Sequence, residues 1–150
     1  MKTVPRVDVL HGVNLRLLGA REPQHYGARS LAAIDKELIR LGRELGLAVR
    51  CRQTDVEARF VAWLGAANRE ARAVICNPGA WTHTSVAIRD AVAALAIPAI
   101  EVHVTNIYAR ESFRRHSFLA PAVHGIIVGF GTVGYALALR GVANLIQGAR

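Results

Sequence analysis

At 150 residues and 16.2 kDa the chain has the size of one average domain, and 52% apolar and 20% charged residues give it material for a single core and exclude intrinsic disorder. No run of about 18 apolar residues occurs, and Pro5 and Arg6 break the short apolar start, so no membrane span, signal peptide or membrane partner is expected, and the expected location is cytoplasmic. Nineteen basic residues against eleven acidic leave a net charge of +8, yet Arg16, Arg29, Arg40, Arg50, Arg69 and Arg140 form no cluster and only nine aromatic side chains are available for stacking, so no nucleic-acid partner is expected.

Residues 5 to 10 read as a first strand, followed by a polar loop that runs to about Arg29. Connections in compact α/β domains are usually about 2 to 6 residues long, so a loop of this length is either functional or a misassignment. From the N-cap Ser30 the apolar positions Leu31, Ile34, Leu38, Leu41 and Leu45 step by three and four, and Gly46 ends the helix. Leu47 to Gln53 is a second strand, and Thr54 to Glu57 has capping-box spacing ahead of a second helix carrying Phe60, Val61, Leu64 and Ala67. A third strand (72 to 76) ends at Asn77-Pro78-Gly79 and precedes a helix over Ser85 to Leu95. Ile97 to Val104 is a fourth strand, Asn106 to Ser117 a polar segment with a helical turn, His124 to Phe130 a fifth strand and Thr132 to Gln147 a last helix.

Strands that alternate with helices and read as apolar runs describe a parallel sheet covered on both faces. The expected fold is a single α/β domain over residues 1–150, a flavodoxin-like three-layer sandwich with a five-stranded parallel sheet of order 2-1-3-4-5. In that order the ligand crevice opens at the carboxyl ends of strands 1 and 3, beside strand 4.

The polar groups able to do chemistry gather at that end of the sheet. After strand 1 come His11, Gly12, Asn14, Arg21, Glu22, His25 and Tyr26; after strand 3 come Asn77, Thr82 and His83; in or after strand 4 come Glu101, His103, Thr105, Asn106, Arg110 and Arg114. Glu101 and His103 are two apart on a strand and share one face, either as a structural pair or with Glu101 orienting the imidazole as an acid. Asn77 also suits a turn, His83 a helix cap, and Tyr26 a surface loop.

Several chemistries are excluded. The chain has no Gly-x-Ser-x-Gly elbow, His-Glu-x-x-His or Walker loop, and Cys51 and Cys76, 25 residues apart, suit neither zinc nor a disulfide framework and read as reduced core residues. Gly129-Phe-Gly-Thr-Val-Gly134 matches a dinucleotide pattern but follows the last strand, where close helix–strand packing explains it better. Lys2 and Lys36, the only lysines, sit on the terminus and on the expected solvent face of the first helix, which argues against Schiff-base chemistry.

The stretches His11-Gly-Val-Asn14-Leu-Arg-Leu-Leu-Gly19, Arg21-Glu-Pro-Gln-His-Tyr26-Gly27, Asn77-Pro-Gly-Ala-Trp-Thr-His83-Thr-Ser, Ile88-Arg-Asp90-Ala, Glu101-Val-His103-Val-Thr-Asn106, Ala109-Arg110-Glu-Ser-Phe-Arg114-Arg-His-Ser117 and Gly125 to Tyr135, taken together and in order, resemble the type II 3-dehydroquinate dehydratases. The resemblance implies a flavodoxin-like fold, a homododecamer of four trimers, and the cofactor-free, metal-free dehydration of 3-dehydroquinate to 3-dehydroshikimate, in aromatic biosynthesis or quinate breakdown. The family's first motif reads Asn-Gly-Pro-Asn-Leu; here His11 and Val13 replace its first Asn and its Pro.

Carried onto this sequence, the resemblance implies that Tyr26 is the base, used as a tyrosinate supported by Arg21 and Arg110, and that an enolate forms and is stabilised by Asn14 through a held water. His103, oriented by Glu101, is the acid. Asn77, Val104 and Thr105 are implied to bind the substrate carboxylate, and His83 and Arg114 its ring hydroxyls, with Asp90 reaching in from a neighbouring subunit. The loop over about 19–28 then becomes an active-site lid. Two other readings are a flavodoxin-like nucleotide or flavin binding protein, suggested by the fold and the last Gly-rich turn, and an inactive relative acting as a scaffold.

Overall fold

The structure, a computed structural model, describes residues 3–20, 24 and 28–148. Strands β1 (Arg6–His11), β2 (Ala48–Gln53), β3 (Ala73–Asn77), β4 (Ala99–His103) and β5 (Gly125–Val128) form one parallel sheet in the expected order β2-β1-β3-β4-β5. Helices α1 (Leu31–Glu44), α2 (Glu57–Glu70), α3 (Val86–Ala93) and α4 (Val133–Gly148) cover it. The alternation of side chains along a strand sorts the core into two halves. Val7, Val9, Ile75 and Val102 pack with residues of α1 and α4, whereas Leu10, Val74 and Cys76 pack with residues of α2 and α3.

The predicted helix starts hold in two places and fail in one. Ser30 caps α1 by accepting the Ala33 N–H at 3.2 Å, and Ser85 caps α3 by accepting that of Ile88 at 2.9 Å. The capping box at Thr54 to Glu57 does not form. Thr54 Oγ1 accepts the Val56 N–H at 3.0 Å, Asp55 accepts the backbone N–H of Asn14 at 2.8 Å, and Glu57 accepts the Ser85 hydroxyl. The residues of the box are thereby drawn to the loop after β1 and to the start of α3.

The basic residues are less scattered than the sequence suggests. Pairing of β1 with β2 places Asp8 opposite Arg50, and the fully buried Asp8 carboxylate accepts from Arg6 at 3.0 Å, Arg50 at 2.8 Å and Arg52 at 3.2 Å. Glu70, at the end of α2, takes Arg6 and Arg50 as well. Arg52 lies 4.6 Å above the Trp63 ring, which shields its apolar face. Arg6, Arg50 and Arg52 are thereby gathered around Asp8, with Glu70 at the edge of the cluster. Among the described residues no helix is long and apolar enough to cross a membrane.

Candidate active site

The sheet order reverses between β1 and β3, and their loops meet there. The Gly12 N–H donates to the Asn77 carbonyl at 2.7 Å. A side chain at Gly12 would lie 2.4 Å from the Pro78 carbonyl oxygen, and one at Gly79, which has φ +63°, 2.7 Å from that of Val13. Glycine at both positions lets the loops press together. Beside this junction an open cleft is lined by Asn14, Asn77, His83, His103, Thr105, Arg110 and Arg114, with Val13, Leu15, Leu17, Leu18 and Ile107 supplying apolar wall. That mixture of an apolar wall with convergent polar groups suits a small-molecule site. It opens at the strand ends named from the sequence.

His103 is the last residue of β4 and Glu101 stands two places before it on the same face. The ring Nε2 lies 2.6 Å from Glu101 Oε1. Glu101 is fully buried, and an isolated carboxylate there would be costly. It is not isolated, because Thr82 Oγ1 donates to Oε1 and Ser117 Oγ lies 2.9 and 3.0 Å from its two oxygens. Burial alone would raise the Glu101 pKa; the bonds from His103, Thr82 and Ser117 outweigh it and hold the carboxyl below its usual range. Glu101 is therefore ionised at neutral pH and fixes the ring so that Nδ1 is the nitrogen left for chemistry in the cleft wall.

Asn77 ends β3 and does two jobs. Its Oδ1 accepts the Gly79 N–H at 3.1 Å, the turn chemistry anticipated, while its Nδ2 donates to the Tyr135 hydroxyl at 2.8 Å. His83 does not cap a helix; its Nδ1–H donates to the His116 carbonyl at 2.7 Å, and its ring stacks at 6.4 Å on that of His103. Its pKa is pushed below the ordinary value, first by burial and then by the neighbouring His103 and Arg114, against the pull of the His116 carbonyl and Glu101. A neutral His83 with Nδ1 spent presents Nε2 as an acceptor, which suits a ligand hydroxyl.

The polar segment after β4 makes short helical turns at Ile107–Ala109 and Ser112–Arg114, which bring Arg110 and Arg114 to the cleft. Arg114 Nε donates to Glu111 at 2.7 Å, and Arg110 reaches Thr105 Oγ1 at 3.4 Å. Val104 and Thr105 line the same wall. Asn14 lines the opposite side in a left-handed conformation, φ 66°. Asp90 is exposed on α3, paired with Arg89 at 2.9 Å, and is not among the residues lining its own chain's cleft. Arg21 and Tyr26 lie outside the described residues. So does most of the segment expected to be a lid; at its base, a side chain at Gly19 would come within 3.1 Å of the Ala28 carbonyl, so its two ends pass close together.

His11, placed at the crevice by the sequence, is instead fully buried behind it. Its ring, Asp35 and Cys51 have their potential metal-ligating atoms within 4.8 Å of one another, but His11 and Asp35 satisfy each other at 2.8 Å and none of the three lines the cleft. The Gly-rich turn after β5 spends its amides on the chain: the Gly129 N–H goes to the His103 carbonyl and that of Gly131 to Val104. Those donors are then lost to a phosphate, and Gly134 packs against Ile127 as close packing requires. Sequence reasoning missed Thr82 and Ser117 as the partners of Glu101, and Tyr135 as the partner of Asn77. The signal was Glu101 itself, since a carboxylate inside a strand needs donors from elsewhere.

A family model described as dehydroquinase class II matches residues 5–143. A protein of Pelotomaculum thermopropionicum named 3-dehydroquinate dehydratase is 52% identical over 140 residues, which are 93% of this chain and 97% of that one. A protein of Pseudomonas aeruginosa named 3-dehydroquinate dehydratase 2 is 47% identical over 95% of this chain and 97% of its own. Among solved structures, the type II dehydroquinase from Propionibacterium acnes superposes with a TM-score of 0.92 at 46% identity, covering 96% of this chain and 99% of that one.

Proposed function

The chain belongs to the class II dehydroquinase family and is a hydro-lyase, and on that premise we propose that it converts 3-dehydroquinate to 3-dehydroshikimate with a tyrosinate base and a histidine acid. The observation that carries the reading is the buried carboxylate of Glu101 holding His103 in the cleft wall.

The base removes a proton from C2, beside the ketone. We assign it to Tyr26. A free phenol has a pKa of about 10, so ionisation at neutral pH costs about 4 kcal/mol. A guanidinium alongside lowers such a value by ~1–3 units, and Arg21 and Arg110 are the candidates; Arg110 already lines the cleft. The electron pair released moves into the ketone, and the resulting enolate is stabilised by Asn14 through a held water. The enolate then reforms its carbonyl and expels the C1 hydroxyl, which takes a proton from His103 and leaves as water. The base proton afterwards passes to solvent and His103 regains one, so the net change is the loss of one water and neither oxidant nor metal is required. The acid on β4 and the base on the loop after β1 act from opposite sides of the ring, as an anti elimination needs.

Binding uses the remaining wall. The substrate carboxylate meets Asn77 with the backbone and hydroxyl of Val104 and Thr105, and the ring hydroxyls meet His83 and Arg114. Asp90 contributes from a neighbouring subunit of a dodecamer of four trimers. Its exposure and its distance from its own cleft suit that role, as does the apolar surface at Phe130, Val133 and Leu137, which are 64%, 56% and 40% exposed. The lid over residues 19–28 closes on the bound substrate and excludes water. The test is the direct assay, following the ultraviolet absorbance of the conjugated enone. Wild-type protein is expected to form it, and folded Tyr26→Phe to lose turnover by orders of magnitude; near-normal activity in that variant refutes the assigned base.

A further inference from the structure

Behind Asn77 lies a chain of buried polar groups that the reaction does not use. The Tyr135 hydroxyl, carried on α4, accepts from Asn77 Nδ2 at 2.8 Å and stands 3.1 Å from His11 Nδ1; His11 Nε2 is 2.8 Å from Asp35 Oδ1 on α1. Tyr135 and His11 are fully buried and their rings meet edge to face at 5.2 Å. The end of the chain in the cleft wall is Asn77.

The donors and acceptors fix the direction of every bond. Asn77 Oδ1 takes the Gly79 N–H, so its NH2 is the group that turns to Tyr135. The phenol oxygen accepts there, and burial keeps its proton in place by raising its pKa well above the usual value, against the Asn77 bond. Among the described residues the hydrogen-bond partner placed to accept that proton is His11 Nδ1, an arrangement in which the ring carries its hydrogen on Nε2 and donates it to Asp35. Each group leaves its neighbour a single orientation.

We propose that Tyr135 and His11 are positioning residues that set the amide of Asn77 for substrate, with Asp35 fixing the His11 tautomer. This rests on the reading that Asn77 binds the substrate carboxylate. The two amide replacements of His11 separate positioning from mere packing. In His11→Asn the side-chain oxygen falls near the place of Nδ1 and keeps an acceptor for Tyr135; in His11→Gln the amide falls near the place of Nε2, keeping the Asp35 contact and losing that of Tyr135.

Steady-state kinetics with 3-dehydroquinate should show KM raised roughly tenfold in Tyr135→Phe and His11→Gln, the scale of one lost hydrogen bond. kcat should stay within about twofold, and His11→Asn should restore KM to within about twofold of wild type. Independently of turnover, 15N-resolved NMR of the wild-type protein should show His11 with Nδ1 unprotonated. The Asn77 side-chain amide signal should move in Tyr135→Phe and His11→Gln and stay in His11→Asn. Equal KM changes in the two His11 variants, an unchanged KM in Tyr135→Phe, or a protonated Nδ1 would overturn the proposal. A wild-type protein inert toward 3-dehydroquinate defeats the functional reading instead, and the NMR arm still judges the relay.

Discussion

Replacing Glu101 with glutamine keeps the volume of the side chain and removes its charge. The bond it makes to His103 is short, 2.6 Å, and buried. A hydrogen bond to a charged partner is worth about 1.5–3 kcal/mol where a neutral one is worth about 1. In the proposed mechanism that difference, about 0.5–2 kcal/mol, falls on the imidazolium that delivers the proton to the leaving hydroxyl, and at about 1.4 kcal/mol per factor of ten it corresponds to a loss in kcat of roughly 2- to 30-fold. Glu101 is not among the residues lining the cleft, so KM should change little. Stability supplies a second signature. The Glu101 pKa is lowered in the folded state by its partners, so its contribution is complete above the unfolded value of about 4.3 and is lost as pH falls through the depressed folded value. Glu101→Gln should therefore flatten the acid limb of the stability profile, read by urea titration from pH 6 down to about pH 3. A variant with wild-type kcat, or one that loses KM alone, refutes the orienting role.

Asp8→Ala should lower stability to urea by about 3 kcal/mol, because it leaves Arg6, Arg50 and Arg52 facing one another without the buried carboxylate that joins them. The protein that remains folded should keep its KM; a loss below about 1 kcal/mol would mean that solvent already screens the cluster. Burial pushes the thiols of Cys51 and Cys76 far above the usual range, with Asp35 adding to the effect at Cys51 and Glu101 at Cys76. Neither should be alkylated by iodoacetamide at neutral pH until urea unfolds the chain, and mass spectrometry of the native protein showing fast modification would contradict this.

The sheet was legible because β1, β3 and β4 are central strands whose apolar runs leave no competing assignment, and a reversed order needs no side-chain detail. What escaped depended on contacts made across the chain. The capping box at Thr54 fails because Thr54 accepts the Val56 N–H and Glu57 is taken by the Ser85 hydroxyl, 28 residues away. The arginine cluster exists only once β1 and β2 are in register, since Arg6 and Arg50 are far apart in sequence and share one carboxylate. His11 was open to a better reading: it is in phase with Val7 and Val9, so alternation alone turns it toward α1 and α4 and away from the cleft. That Glu101 needs partners followed from its burial. That they are Thr82 and Ser117, 19 and 16 residues away, followed only from the loops that fold over the end of β4.

The charges around the cleft suit the proposed chemistry in place. Glu101 is ionised and stands against His103, so a doubly protonated ring adds no net charge to the wall. Glu111 lies 2.7 Å from Arg114 and 3.8 Å from Arg110, and it offsets one of the two guanidiniums. 3-dehydroquinate brings a single carboxylate to this wall. A second anion, the tyrosinate, then needs a cation of its own, which is the part assigned to Arg21 on the same loop as Tyr26. Because arginine keeps its proton at any working pH, this arrangement charges the phenol without competing for the hydrogen being moved. A lysine at position 21 would retain the charge but could lose its proton beside the phenolate, and so would serve the base less well.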